Sequence, residues 1–278
     1  MKLRAFACLF VVLAVVAVAH TQSLATYDDF DGSFINPAKW SVFAACATVS
    51  LNPSVQPQNP TAYDCVREQR DDVLRLGLRA YSSNTSDTGI LFSGSGVQFR
   101  NPGPINTIQV KTTINSFSTQ GCPANSEPAH PQFLISGRYF NAGSGTFQDD
   151  VQAYVMIERT SDDLSLPQTI LRVGAFMSIG SAFFNNVDLG TIQTGEEATL
   201  TLTWKRDNKA FVAQVVRQQT MPLVEEQTMS YSQSDSLPTS FPIKGIQVGT
   251  IVPNCTANVA FAAMKARISV VRVNAGAF

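Results

Sequence analysis

The sequence predicts an all-β protein, an antiparallel sandwich of two packed sheets. Three observations carry that reading. Apolar and polar residues alternate with period two in many short runs bounded by Gly, Pro, Asn, Asp and Ser. Helical periodicity is scarce over any stretch of roughly a dozen residues, so parallel βαβ units, whose crossovers need helices, are not expected. About ten to twelve strands are needed, too many for one open sheet that does not split into two.

The elements follow in chain order. Met1, Lys2, Leu3 and Arg4 give a short positive start, and an unbroken apolar run from Ala5 to Ala19 ends in Ala17, Val18 and Ala19. This is the pattern of a secretory signal peptide spanning 1–19, with cleavage after Ala19 favoured and Ala25 as a second candidate. The run is shorter than the roughly 20 residues a membrane span needs, and no later segment is apolar enough to serve as one. Residues 20–278 then read as one domain, since no long polar linker divides them. Weak strand runs lie near Phe43 and Phe99; stronger ones cover 73–81, 107–117, 133–140, 151–159, 169–178, 243–252 and 259–273. Leu200, Leu202 and Trp204 share one face of a further run, with Thr201 and Thr203 on the other. Asp207 and Asn208, residues that tolerate positive φ, turn that run into a partner at 211–216, which makes a hairpin. The longest irregular stretches are 52–64 and 119–131. Each holds proline and one cysteine.

Charge is low. Asp, Glu, Lys and Arg make up 15% of the 278 residues, with a formal net charge of -1, against roughly 25% charged residues in an average soluble chain. Losing 1–19 removes Lys2 and Arg4 and takes the balance to -3. A nucleic-acid partner is excluded, because neutralising phosphates needs clustered Lys and Arg. Cys8 leaves with the signal peptide, and Cys46, Cys65, Cys122 and Cys255 remain, an even number in an exported chain. Of the three pairings, Cys46 with Cys65 and Cys122 with Cys255 are favoured, the first flanking a proline-rich loop. Asn84, Thr85, Ser86 and Asn254, Cys255, Thr256 fit the glycosylation sequon, which matters only in a eukaryotic secretory pathway.

After the signal comes Tyr27, Asp28, Asp29, Phe30, Asp31, Gly32, Ser33, followed by Asn36, Pro37, Ala38, Lys39, Trp40. This opening resembles that of many secreted domains of the concanavalin A-like lectin and glucanase superfamily, where a "DDF-x-G" strand leads through "D/N-P-x-K-W" into the next. The Trp204 hairpin is similar to the superfamily's late "L-x-W" strand. The resemblance spans nearly the whole mature chain and is specific in its first 20 or so residues. It implies a jelly roll of two curved sheets, a long last strand beside the first, and a concave face that commonly binds or cleaves carbohydrate. Physically, Phe30 and Trp40 read as core anchors, with the acids and Asn36–Pro37 punctuating a turn. Asp28, Asp29 and Asp31 could instead supply oxygen ligands to calcium; no other cofactor is expected.

Catalysis is the minority reading. The glucanase branch carries E-x-D-x-E or E-x-D-x-x-E on one strand, which sets two carboxyls on either side of the scissile bond. No such triplet is present. In 151–159, Gln152, Tyr154, Met156 and Glu158 share a face that holds one carboxylate. The adjacent pairs Glu196/Glu197 and Glu225/Glu226 point oppositely in extended chain and read as solvated loops. His130 reads as a loop histidine, and phosphate-loop, nucleophile-elbow and C-x-x-C motifs are all missing. Strand parity instead gathers Arg138, Phe140, Tyr154, Glu158 and Arg172 on one face, a mixture of rings and bidentate groups suited to a sugar. Phe183 and Phe184 read as an aromatic loop tip, either a ligand contact or a plug under the rim. The expectation is a secreted, non-catalytic carbohydrate-binding or adhesion module whose partner is an extracellular or cell-wall glycan. The alternatives are a glycoside hydrolase or polysaccharide lyase of the same fold, and a structural extracellular or envelope subunit.

Overall fold

The alternation closes into two antiparallel sheets of eight strands each. A computed structural model describes residues 23–50, 64–83, 86–143, 145–180, 182–218 and 223–277, with the side chains of 42–50 excepted. The expected signal peptide, the side chain of Cys46, nearly all of the loop at 52–64 and the Asn84 sequon lie outside the described residues.

The first sheet runs β13 (Leu223–Ser230), β12 (Ala210–Arg217), β11 (Glu197–Lys205), β6 (Thr107–Gln120), β16 (Phe261–Asn274), β4 (Val73–Tyr81), β3 (Asp64–Arg70), and β1 (Leu24–Asp28) also pairs with β16. The long last strand therefore lies beside the first, as the opening motif implied. The second sheet runs β10 (Ala182–Gln193), β9 (Ile170–Ile179), β8 (Asp150–Glu158), β7 (His130–Asn141), β15 (Lys244–Pro253), β5 (Ile90–Phe99), β2 (Trp40–Ser50), with the two-residue β14 (Leu237–Pro238) on β7.

Each central strand gives one parity to the space between the sheets. On β8 the buried set is Val151, Ala153, Val155 and Ile157, and on β9 it is Leu171, Val173, Ala175 and Met177. Leu200 and Leu202 of β11 join the same core from the opposite sheet. Trp204 is half-buried at its margin, stacked on Phe140 at 5.7 Å and donating its indole N–H to the Tyr231 hydroxyl at 2.9 Å. Phe30 and Trp40 are buried as anchors, ring centroids 6.1 Å apart. Asp28 organises this corner: its carboxylate accepts from the Trp40 indole N–H at 2.5 Å, the Phe30 N–H at 3.2 Å and Lys39 Nζ at 3.4 Å. Asp29 and Asp31 are exposed. Among the described residues, the three acids form no cluster close enough to hold an ion, and the one carboxylate that is buried serves the tryptophan.

The Cys122–Cys255 disulfide is present, with Cα atoms 5.5 Å apart. Cys65 is also oxidised. Asn254 is buried and donates to the Thr88 carbonyl at 2.9 Å, so that sequon is closed to an oligosaccharide. The predicted hairpin forms between β11 and β12, but the left-handed residue is Lys209 (φ 48°), because Arg206–Asn208 take a short 3₁₀ turn first. Five strands were not anticipated from the alternation: β1, which the opening motif implied, and β3, β10, β13 and β14. All lie at a sheet edge or rim: β3, β10 and β13 are edge strands, and β1 and β14 add to β16 and β7 at the margin. Glu225 and Glu226 thus sit in a strand and not a loop, pointing oppositely as expected, with Glu225 half-buried and Glu226 exposed.

Candidate functional site

The outward face of the second sheet carries a groove of about 970 Å³, floored by β5, β15, β7, β8 and β9 and walled by β10. Most of its strand residues have the parity opposite to the core, with Val173 and Ala175 of the core parity reaching it on β9. Register fixes them in rows across the strands. One row runs Arg172, Glu158, Gln132, Gly249; the next runs Gly174, Met156, Leu134, Gln247; the third runs Phe176, Tyr154, Ser136, Gly245. Glycine at 249 has a steric role, since a Cβ there would lie 3.0 Å from Gln132 Nε2 and 3.3 Å from the Phe92 ring.

One end of the groove is aromatic. Tyr154 stacks on Phe176 at 4.5 Å, and Phe183 meets Phe176 edge-on at 5.0 Å. Phe183 leaves 70% of its surface to solvent, so a large apolar face is presented rather than packed away. It is the opening of β10, not a loop tip. Burial raises the Tyr154 hydroxyl above its ordinary pKa, with Ser178 and Arg138 opposing the shift, and the hydroxyl donates to Gln152.

The other end is charged. Glu158 Oε2 lies 3.0 Å from His130 Nδ1, where it accepts from the imidazole N–H, and Arg172 lies directly across the strand pair. Arg172 donates Nε–H to Asp163 at 2.7 Å. That bond, with a second from Ser165, holds the Asp163 carboxyl down at about 2. Asp163 itself is placed by Arg159, whose buried guanidinium donates to the carbonyls of Asp163, Leu166, Pro167 and Ile170 and so fixes the loop between β8 and β9. Glu127 and Asp188 line the same end.

Of the residues gathered by strand parity, Tyr154, Glu158 and Arg172 line one groove. Arg138 faces the same side beyond the aromatic end, its guanidinium 5.6 Å from the Phe241 ring centroid. Phe140 is a correction. A bulge between Arg138 and Phe140 inserts one residue, so that Arg138 pairs with Gln152 and Phe140 with Val151, and both Tyr139 and Phe140 turn into the core. His130 is corrected too: it opens β7 in contact with Glu158. Gln247 escaped notice, although a lone glutamine between Ile246 and Val248 has the parity of a groove residue.

No known family model matches the chain, and no curated protein sequence does. Solved structures of similar architecture include a beta-1,3-glucanase from Mycobacterium marinum, at 17% identity over 88% of this chain and 96% of that one, TM-score 0.47. A pseudo beta-1,3-glucanase of Mycobacterium tuberculosis aligns at 16% identity over 89% and 96%, TM-score 0.36. Lectin II from Ulex europaeus aligns at 12% over 81% and 98%, TM-score 0.33. The likeness is one of architecture, and no functional residue is carried across from it.

Proposed function

We propose that the chain is a secreted carbohydrate-binding module that holds a glycan in the groove without cleaving it. The observation that carries this reading is the juxtaposition, in one open groove, of the Tyr154–Phe176–Phe183 aromatic platform with the Glu158, His130 and Arg172 cluster. A pyranose has an apolar face of C–H groups and an equatorial rim of hydroxyls. The rings take the first and the charged, bidentate groups the second. Arg159 and Asp163 hold Arg172 in place beforehand, which reduces the ordering cost of binding. The disulfide suits an oxidising compartment, and among the described residues no helix is long and apolar enough to cross a membrane.

Hydrolysis needs two carboxyls flanking one bond; β8 gives the groove face one, with Met156 and Tyr154 at the neighbouring positions, and the groove's other carboxyls, Glu127 and Asp188, come from the segment before β7 and from β10 rather than from a paired-carboxyl strand. A catalytic reading keeps one specific support, the Glu158–His130 pair. Its check is turnover of polysaccharides lost in Glu158→Gln. For the binding reading, retention on a panel of polysaccharides is expected for the wild type and is lost in Tyr154→Ala at unchanged melting temperature. Equal retention of both proteins, or none of either, sinks it.

A further inference from the structure

The charge in the groove is uneven. Glu127, Glu158 and Asp188 line one end together with a single guanidinium, Arg172, and Arg172 is already matched by Asp163 at 2.7 Å. With Asp163 counted, and with it the Arg159 guanidinium beside it, four carboxylates face two arginines, and they still outnumber the cations when His130, the partner of Glu158, is protonated. Arg138 stands apart, against Phe241 at the far end. This negative charge is not a metal cage, because among the described residues these carboxylates form no triplet close enough to share one ion. It is spread along the wall, as suits a ligand whose positive charges are also spread. The rings point the same way, since the face of an aromatic ring attracts a cation.

Gln247 adds an independent observation. Its side chain lines the same groove while only 7% of the residue is exposed, and its Oε1 is buried with no hydrogen-bond partner. A buried acceptor left unmade costs about 1–3 kcal/mol. The terminal torsion of glutamine is broad, so a small rotation turns this oxygen towards a donor in the groove.

We infer that the groove selects a cationic glycan, one built of 2-amino-2-deoxyhexose units with free amino groups, over neutral and anionic polysaccharides. The ammonium groups meet Glu127, Glu158 and Asp188, one donor reaches Gln247 Oε1, and the sugar faces lie on Tyr154 and Phe176. A polyuronate is repelled by the same wall. The inference rests on the reading of the groove as a carbohydrate site, and its test separates the two.

Binding of the full mature chain is measured by calorimetry against hexamers of glucosamine, N-acetylglucosamine, β-1,3-linked glucose and galacturonic acid, and against hexalysine, in a buffer where free amines are charged. The glucosamine hexamer is expected to bind about tenfold or more tighter than either neutral hexamer, with affinity falling as salt rises. Glu158→Gln and Asp188→Asn should each shrink that preference, while Glu225→Gln, on the edge of the other sheet, leaves it intact. Equal affinity for the neutral hexamers, or preference for the uronate, overturns the selectivity and keeps the carbohydrate site. Hexalysine binding as tightly as the glucosamine hexamer also overturns it, as plain charge attraction. No binding to any glycan overturns both.

Discussion

Lys244 opens β15 with its ammonium inside the protein. The residue is 2% exposed, Nζ donates to the Pro102 carbonyl at 2.8 Å and sits 4.7 Å from the centre of the Tyr139 ring. Among the described residues no carboxylate is paired with it. The site is built around the side chain, because a Cβ on Gly137 would come within 2.6 Å of Lys244 Cγ. Burial pushes the amine from its ordinary 10.5 down to about 8. At 1.36 kcal/mol per pKa unit, that depression corresponds to about 3 kcal/mol of preference for the neutral amine in the folded state. Between pH 8 and 10.5 the unfolded chain keeps a proton that the folded chain has released, so stability rises with pH across this window. Below about pH 8 both states are charged, and the folded state carries the whole penalty.

Lys244→Met keeps the length of the stem and removes the charge. At neutral pH the relief of about 3 kcal/mol is offset by a Pro102 carbonyl left unpaired, about 1–3 kcal/mol, and by the lost contact with the Tyr139 ring. The two proteins should then differ by roughly 1 kcal/mol or less. The decisive quantity is the change in that difference. Urea denaturation at steps from pH 7 to 10.5 should show the wild type gaining about 3 kcal/mol relative to the variant, because tyrosines and surface lysines titrate alike in both and cancel. Two parallel stability profiles would refute the argument, since they would mean that Lys244 reaches water.

Asp150 ties β7 and β8 to the segment after β14, accepting from Asn141, Thr239, Ser240 and the Phe241 N–H. Burial alone would raise its carboxyl, but those hydrogen bonds prevail and hold it below the usual range, so its contribution is present at neutral pH and lost as pH falls through the depressed value; Asp150→Asn should cost about 2 kcal/mol or more in thermal unfolding at pH 7 and flatten the acid limb. Gly190→Ala should lower stability by about 2 kcal/mol, since φ is +82° there and the new Cβ would meet Arg217 Nη2 at 2.6 Å, displacing the bond from Arg217 to the Leu189 carbonyl; an unchanged melting temperature would count against it. Replacing Cys122 and Cys255 by serine opens a link across 133 residues, for which the chain-entropy model gives a loss of about 4–5 kcal/mol, measurable as a shift in denaturant midpoint.

What the sequence made legible was the part of the fold that is buried on one face and wet on the other. Residues 151–159 alternate because Val151, Ala153, Val155 and Ile157 pack against the opposite sheet while Tyr154 and Glu158 face the groove, and that contrast is written in residue type. At an edge the contrast fades. β3 reads Asp64, Cys65, Val66, Arg67, Glu68, Gln69, Arg70, and β13 leaves most of its residues exposed, so neither run has an apolar face to announce it. Edge strands are kept polar to discourage pairing with other chains, which makes them hard to read as strands.

The candidate site was legible up to the first break in parity. Counting by twos from Glu158 gives Met156, Tyr154 and Gln152 correctly, because β8 pairs with β9 without interruption. The same count along β7 leads from Gln132 through Leu134 and Ser136 to Arg138 and then fails at Phe140, since the bulge adds a residue on that strand alone. Nothing local in Arg138–Tyr139–Phe140 marks the bulge. Its cause lies elsewhere: Phe140 stacks on Trp204, and Tyr139 packs edge-on against Phe211 at 4.8 Å, so two successive rings both have places in the core. Strict alternation would have put one of them in the groove. The bulge thus places both aromatics under the sheet, so β7 adds no ring to the groove and the Tyr154–Phe176–Phe183 group stays at its β8–β10 side.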